Sequence, residues 1–430
     1  MNPYFNYNRI FYKSLLFLMI CILYYSCNTK SQEDKNILYM KKQELTAKDI
    51  LGNPDFQAIS YEGYRENSRE IQPSVAQLKE DLEILSAMGI KILRTYNVQF
   101  AHASNLLQAI REMKEENSEF EMYVMLGAWI DCKNAWTDME PDHYVESEQN
   151  EGEIERAVAL VNKYADIVKV LAIGNEAMVK WATSYHVQPS VILKWVNYVQ
   201  DLKKSGHLPA ELWVTSSDDF SSWGGGDTLY HTEDLKKLAQ AVDYISIHTY
   251  PYHNTHYNPA FWNVPHEESH LSEVEKVDAA MVRARDFAKA QYDSVLAYMQ
   301  HIGIDKPIHI GETGWASTSD GFYGIEGSRA TDEYKQGKYY QLMREWTDAA
   351  GISCFYFEAF NEPWKDAKNA QGSENHFGLF SETGLAKYAI WDLVDQGVFD
   401  GLTRDGNPII KTFGGNKEEL FKYVQAPPAM

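Results

Sequence analysis

Eight short, apolar, β-rich runs alternate along this chain with helical stretches, and that alternation leaves few architectures open. The runs are residues 57–61, 90–96, 122–127, 168–173, 212–216, 242–247, 308–311 and 352–357. Between the first two, Val75, Leu78, Leu82, Leu85 and Met88 recur every three or four residues, the spacing of one helix face. Pro73-Ser74 opens that helix and Gly89 closes it. Similar patterns cover about 151–166, 189–204, 278–301 and 332–349. Strands alternating with helices predict βαβ units on a parallel sheet. Eight of them favour an α/β fold of the closed (β/α)8 kind, a TIM barrel, over an open doubly wound sheet. No GxGxxG turn follows the first run, which counts against a dinucleotide-binding sheet. Gly224-Gly225-Gly226 has no lysine and no suitable helix after it, and reads as a flexible loop.

A barrel of this kind collects its functional side chains where the strands end. Those positions hold Tyr61, Arg94-Thr95-Tyr96, Trp129, Asn175-Glu176, Ser217-Asp218, His248-Thr249-Tyr250, Glu312, and the segment from Glu358 to Glu362. The ring is rich in carboxylates and aromatics and has no serine or cysteine elbow. Two glutamates stand out. Glu312 ends an apolar run between Gly311 and Gly314, with Trp315 beside it, and Glu176 follows Gly174-Asn175 at the end of another. A lone strand-end glutamate is usually a surface charge. A matched pair on the fourth and seventh runs can be aimed at one bond, and two carboxyls so placed suit glycosidic hydrolysis.

The 430 residues carry 40 Lys+Arg against 61 Asp+Glu, a formal charge of -21 that opposes nucleic acid or an anionic surface as partner. Aromatic content of 13% suits stacking on sugars, although large cores use the same rings. Near the N-terminus, Arg9 and Lys13 precede an apolar stretch, residues 14–26, too short to span a bilayer comfortably. It ends at Ser26-Cys27 before a polar segment. The expectation is a bacterial lipoprotein signal over 1–26, removed to leave a lipid on Cys27, then a polar tether over 27–50 and one catalytic domain over 51–430. Such a protein is expected to be exported and membrane-anchored through Cys27, with display at the cell surface as the further expectation. Only Cys132 and Cys354 then belong to the fold, with no CxxC and no disulfide framework.

Three motifs together resemble glycoside hydrolase family 17, the β-1,3-glucanase family. They are Gly174-Asn175-Glu176, Gly311-Glu312-Thr313-Gly314-Trp315, and Phe357-Glu358-Ala359-Phe360-Asn361-Glu362-Pro363-Trp364-Lys365. The segments from Ile59 to Gly63 and from Ile92 to Tyr96 are similar to that family's first two strands, and the similarity runs from about residue 55 to 400. The resemblance implies a TIM barrel with the acid/base after strand four, here Glu176, and the nucleophile after strand seven, here Glu312. It also implies that Glu362 and Lys365 contact the substrate. Asn175 is then placed to offer an amide to the sugar 2-hydroxyl or to the nucleophile, and Tyr250 to hydrogen-bond Glu312. Tyr61, Arg94 and Tyr96 are expected along the floor of the site, with Trp364 and Trp315 stacking on glucose units.

The implied activity is a retaining endo-β-1,3-glucan hydrolase of laminarin-like polymers, acting as a monomer through a covalent glycosyl-enzyme without cofactor or metal. A β-1,3-glucosyltransferase shares that intermediate and differs only in the acceptor. A lipoprotein that captures glucan without cutting it is a third reading, disfavoured because a binder needs neither glutamate. The β-1,3 linkage rests on the resemblance alone. Two local features complete the picture. His248, His253, His256, His266 and His270 crowd one stretch, but their spacing fits no zinc motif. Residues 251–278 are longer than an ordinary βα loop, and Tyr252, Tyr257, Phe261 and Trp262 in it are expected to wall the cleft.

Overall fold

Each of the eight runs becomes one strand of a closed parallel barrel in the computed structural model, which describes residues 44–430. The signal, Cys21 and Cys27 lie outside the described residues. In chain order the strands are β1 (Gln57–Ser60), β2 (Ile90–Arg94), β3 (Tyr123–Ala128), β4 (Cys132–Lys133), β5 (Asp142–Glu146), β6 (Val168–Asn175), β7 (Trp213–Asp219), β8 (Ile245–His248), β9 (Ile308–Gly314) and β10 (Cys354–Phe357). Around the barrel the order is β1, β2, β3, β6, β7, β8, β9, β10, and β10 closes on β1. β4 and β5 stand apart as an antiparallel hairpin inserted after β3. The barrel strands read as nearly unbroken apolar runs because both faces are buried, one in the barrel and one under helices.

The helices are α1 (Ala47–Ile50), α2 (Val75–Ala87), α3 (Ala101–Glu116), α4 (Gln149–Lys163), α5 (Pro189–Lys204), α6 (Glu233–Ala241), α7 (Pro251–Tyr257), α8 (Glu273–His301) and α9 (Glu333–Ala350), with shorter ones beyond. Ser74 and Gln77 form a reciprocal capping box that fixes the start of α2. Ser272 and Glu275 do the same for α8, which therefore begins five residues before the periodicity alone suggested. α3 and α6 lie outside the stretches that the apolar spacing marks as helical. Among the described residues no helix is long and apolar enough to cross a membrane.

One expectation needs correction and one boundary moves. α1 is part of the barrel unit, which runs Thr46–Met430, and Ala47 and Ile50 are fully buried. The polar tether thus stops about five residues earlier than expected. Gly224-Gly225-Gly226 is no loose loop. A Cβ on Gly224 would sit 2.2 Å from the Tyr298 ring of α8, and Gly224 has φ +88°, so the glycines let this turn press directly onto the helix. Cys132 and Cys354 are both buried free thiols.

At its C-terminal end the barrel interior turns polar. Ser60, Arg94, Ser217, Ser246 and His248 are all essentially inaccessible. Gly311 makes room for this layer, since a Cβ there would come within 2.3 Å of both Ser217 and Ser246 Oγ.

Candidate active site

Glu176 and Glu312 rise from this polar layer on β6 and β9. Strand irregularities lie beside them, between Ala172 and Asn175 against β7 and between Ile247 and His248 against β9, and such bulges re-aim side chains at barrel rims. Glu176 itself takes φ +46°, held there by its N–H to Ser217 O at 3.0 Å. The carboxylates of Glu176 and Glu312 and a ring nitrogen of His248 all lie within 4.8 Å of one another. Two charges that close repel by roughly 3.5 kcal/mol at an effective dielectric of ~20, so the pair does not carry two full charges at neutral pH.

The surroundings decide which glutamate is ionised. Burial pushes the Glu312 carboxyl up, but neighbouring positive charge, from His248 when its ring is protonated and from Arg94 at every pH, together with two tyrosine hydroxyls, outweighs it and holds the group well below the usual range. Arg94 Nη1 donates to Oε2 at 2.5 Å, Tyr96 to the same oxygen at 2.8 Å, and Tyr250 to Oε1 at 2.7 Å. Both tyrosines keep their protons, since burial and then the Glu312 charge raise them well above the ordinary phenol. Glu176 goes the other way: burial, then Glu312, then Asp219 push it well above an ordinary carboxyl. One carboxylate and one carboxylic acid stand side by side.

His248 sets where the acid's proton sits. Burial lowers its pKa to about 4, so at neutral pH the ring is uncharged and has one N–H. Arg94 Nη2 lies 3.2 Å from His248 Nε2 and can only donate, which makes Nε2 the acceptor and puts the proton on Nδ1. Nδ1 then donates to Glu176 Oε1 at 3.0 Å, leaving Oε2 to carry the acid proton. The same three groups, Glu176, His248 and Glu312, are a donor set that a cation could use. Their bonds are already allotted, however: both Glu312 oxygens are taken by Arg94, Tyr96 and Tyr250. The remaining histidines do not converge, for His253 packs on Tyr323 and His256 on Phe322.

Two cavities meet at this pair. One of about 920 Å³ is lined by Glu176, Trp181, Asp219, Tyr250, Tyr257 and Glu374 among others. The other, about 690 Å³, is lined by Tyr96, Trp129, Trp136, Asn175, Trp364 and Lys365 among others. Glu312 borders both, whereas Glu176 borders only the larger.

Most of the expected residues converge here. Asn175 Oδ1 accepts from Arg94 Nη2, so its amide nitrogen is left for a ligand. Lys365 lies 3.4 Å from Glu362 and 3.8 Å from Glu358. Burial raises Glu362 to about 6 and lifts Glu358 well above the usual range, and Glu358 Oε1 has no partner. Trp364 donates to Glu362 Oε2 at 3.0 Å and sits under Arg69.

Two residues do not belong. Tyr61 points outward and donates to Asp81 on α2 at 2.9 Å, within a buried cluster that includes Arg404. Trp315 is fully buried, donates to Ala330 O at 2.7 Å, and packs against Tyr252, Trp262 and Tyr339. It offers no face to a sugar. Arg94 is likewise covered: it sets the site's charge from beneath instead of forming an open floor. In the 251–278 segment, Tyr257 does line the larger cavity, but Tyr252 and Trp262 are core and Phe261 stacks on Phe287. Residues not singled out in the sequence include Trp136, Trp181, Glu374 and Phe377. In the sequence His248 is both a strand end and the first of five crowded histidines, and its position two residues before Tyr250 is the signal for its role.

Residues 58–378 match the BtgE/BtgC glycoside hydrolase domain. That match, on a closed parallel barrel, places the chain among the glycoside hydrolase domains. The chain belongs to the BtgE/BtgC glycoside hydrolase family. An endo-laminarinase from Formosa Hel1_33_131 is 64% identical, with a TM-score of 0.89 over 90% of this chain and 98% of that one. The glycoside hydrolase family 17 β-1,3-glucanosyltransferase of Rhizomucor miehei shares the fold at 19% identity and TM-score 0.53, over 76% of this chain and 94% of its own. A probable glucan endo-1,3-beta-glucosidase btgC of Aspergillus terreus is 23% identical over 372 residues, 82% of this chain but 48% of its own. The chain spans under half the length of this relative and of its Aspergillus niger counterpart.

Proposed function

We propose that this chain is a retaining endo-β-1,3-glucan hydrolase of laminarin-type polymers. The observation behind it is the pair itself: carboxylate oxygens of Glu176 and Glu312 lie within 4.8 Å of one another, in surroundings that favour the anion of Glu312 and the acid form of Glu176, which suits the closely spaced pair of a retaining enzyme. The substrate is supported by the 64% identity to an endo-laminarinase. Glu312 attacks the anomeric carbon as the glycosidic C–O bond breaks, and Glu176 passes its Oε2 proton to the leaving oxygen. In the second half Glu176, now a carboxylate, takes a proton from water, and that water's oxygen displaces Glu312. A general acid serves the leaving group, so the larger cavity, the one Glu176 borders, receives the leaving half of the glucan. The smaller holds the half that becomes bonded to Glu312, with Asn175 Nδ2 toward a sugar hydroxyl. Reducing-sugar release from laminarin tests the reading, and no release from any β-glucan would favour capture without cutting.

The aromatic lining of the leaving-group cavity, Trp181, Phe220 and Tyr257, also suits a sugar acceptor. Longer products formed at high oligosaccharide concentration would make the protein a β-1,3-glucosyltransferase.

The pH profile of kcat/KM is expected to be a bell, since it reports the free enzyme's acid and base. Activity falls on the acidic side as Glu312 gains a proton, below the ordinary carboxylate range. It falls on the alkaline side as Glu176 loses its proton, above that range. An alkaline limb at the ordinary glutamate value would remove Glu176 as the acid. We further propose export and lipid attachment at Cys27. Metabolic labelling with a fatty acid should mark the protein in bacterial cells, and Cys27→Ala should lose both the label and the membrane fraction.

A further inference from the structure

The smaller cavity is lined by a feature the catalytic centre does not explain. The β4–β5 hairpin projects Trp136 into it with 62% of the residue exposed. Trp136 is not a lone exposed indole: with Trp129 and Tyr185 it makes one contiguous aromatic cluster, and contiguous apolar patches at a cavity mark ligand sites. The backbone holds it there at some cost: Trp136 has φ +61° and Asn134 φ +66°, conformations that side chains bearing a Cβ seldom adopt. The turn is pinned by Asn134 Nδ2 to Glu140 O at 2.9 Å and Thr137 Oγ1 to Asn134 O at 2.8 Å. One face of the indole is backed by Tyr185, stacked at 4.9 Å and 21°. Trp129, also lining the cavity, stands 6.4 Å away, and Asp131 between them faces Ser147 and both indoles. Gln149 and Arg156 on α4 border the same space with polar groups.

A rigid aromatic face with hydrogen-bonding groups around it fits the apolar face and equatorial hydroxyls of a pyranose. We infer that Trp136, backed by Tyr185 and flanked by Trp129, forms a further sugar subsite in the glycosyl-donor cavity, and that this hairpin sets the protein's preference for longer glucans. The inference rests on the glucanase reading for the identity of the sugar chain.

The test compares kcat/KM along a ladder of β-1,3-gluco-oligosaccharides, from the shortest one cut to laminarin. Trp136→Ala is expected to lower the ratio of long-chain to shortest-chain kcat/KM about tenfold, the effect of losing one stacking contact. Trp136→Phe should restore part of it. Tyr144→Ala, on the same hairpin but lining neither cavity, should match the unaltered protein. An unchanged ratio in Trp136→Ala, whether or not the rates fall, overturns the subsite. If the unaltered protein cuts no β-1,3-glucan, the glucanase reading has failed and the ladder is repeated with the linkage it does cut. If it cuts none, affinities from calorimetry replace rates, and a loss in Trp136→Ala confined to long chains sustains the subsite. No binding by the unaltered protein, or equal losses at all lengths, ends it.

Discussion

Glu312→Gln is expected to lower kcat on laminarin by about 10⁴-fold or more, because loss of a nucleophile removes the pathway and not merely a contact. Glu176→Gln should behave differently. Its loss, about 10²- to 10⁴-fold on natural glucan, reflects missing proton transfer, and it should shrink sharply on an aryl glycoside whose leaving group needs no proton. The environments of the two residues lead to this split. Glu312 receives hydrogen bonds from Arg94, Tyr96 and Tyr250, all of which favour its anion. Glu176 has burial and two acidic neighbours, which favour its acid form. Azide separates the roles by stereochemistry: with Glu312→Gly it should yield the α-glycosyl azide, and with Glu176→Ala the β-azide. Near-normal turnover in either Gln variant would end the assignment.

The barrel was legible because strands buried on both faces leave continuous apolar runs, and the two glutamates were legible because each ends such a run. What misled was the alternation of side chains along a strand. Glu312 faces the barrel mouth, so Thr313 and Trp315 face outward, and both contact Tyr339 of α9. Tyr61 follows the inward Ser60 and so reaches Asp81 on α2. A strand end therefore carries functional and structural residues in alternation, and proximity in sequence does not separate them. The hairpin bearing Trp136 was not legible at all. β4 has two residues and β5 is largely polar and exposed, so neither has the apolar pattern that marks a strand. Glu374 and Phe377 reach the cleft from a long connection after β10, where no periodicity ties them to it. His248 was visible, but its task follows only from the arginine beneath it.

That arginine gives the second large effect. Arg94→Met keeps an unbranched apolar stem and removes the charge, leaving Glu312 buried without a cation and Gly311 O and Asn175 Oδ1 without a donor. Breaking a buried pair from one side costs about 3–5 kcal/mol, to be read as a fall in the urea midpoint. Burial should then raise the Glu312 pKa, so the acidic limb of kcat/KM moves to higher pH. Turnover should fall by roughly 10²-fold through misplacement of Asn175 and Glu312. Arg94→Lys separates charge from geometry. A lysine keeps a cation beside Glu312, so the acidic limb should stay near its original place. One ammonium does not reproduce the planar fork that spans Glu312, Asn175 and His248, and His248 Nε2 is no longer obliged to accept. The ring is then free to take the other tautomer and turn a lone pair toward Glu176, which weakens the bond that keeps the acid proton on Oε2. Lower kcat with an unmoved acidic limb is thus the expected signature of Arg94→Lys. An acidic limb that stays in place in Arg94→Met would mean that the two tyrosines alone keep the nucleophile ionised.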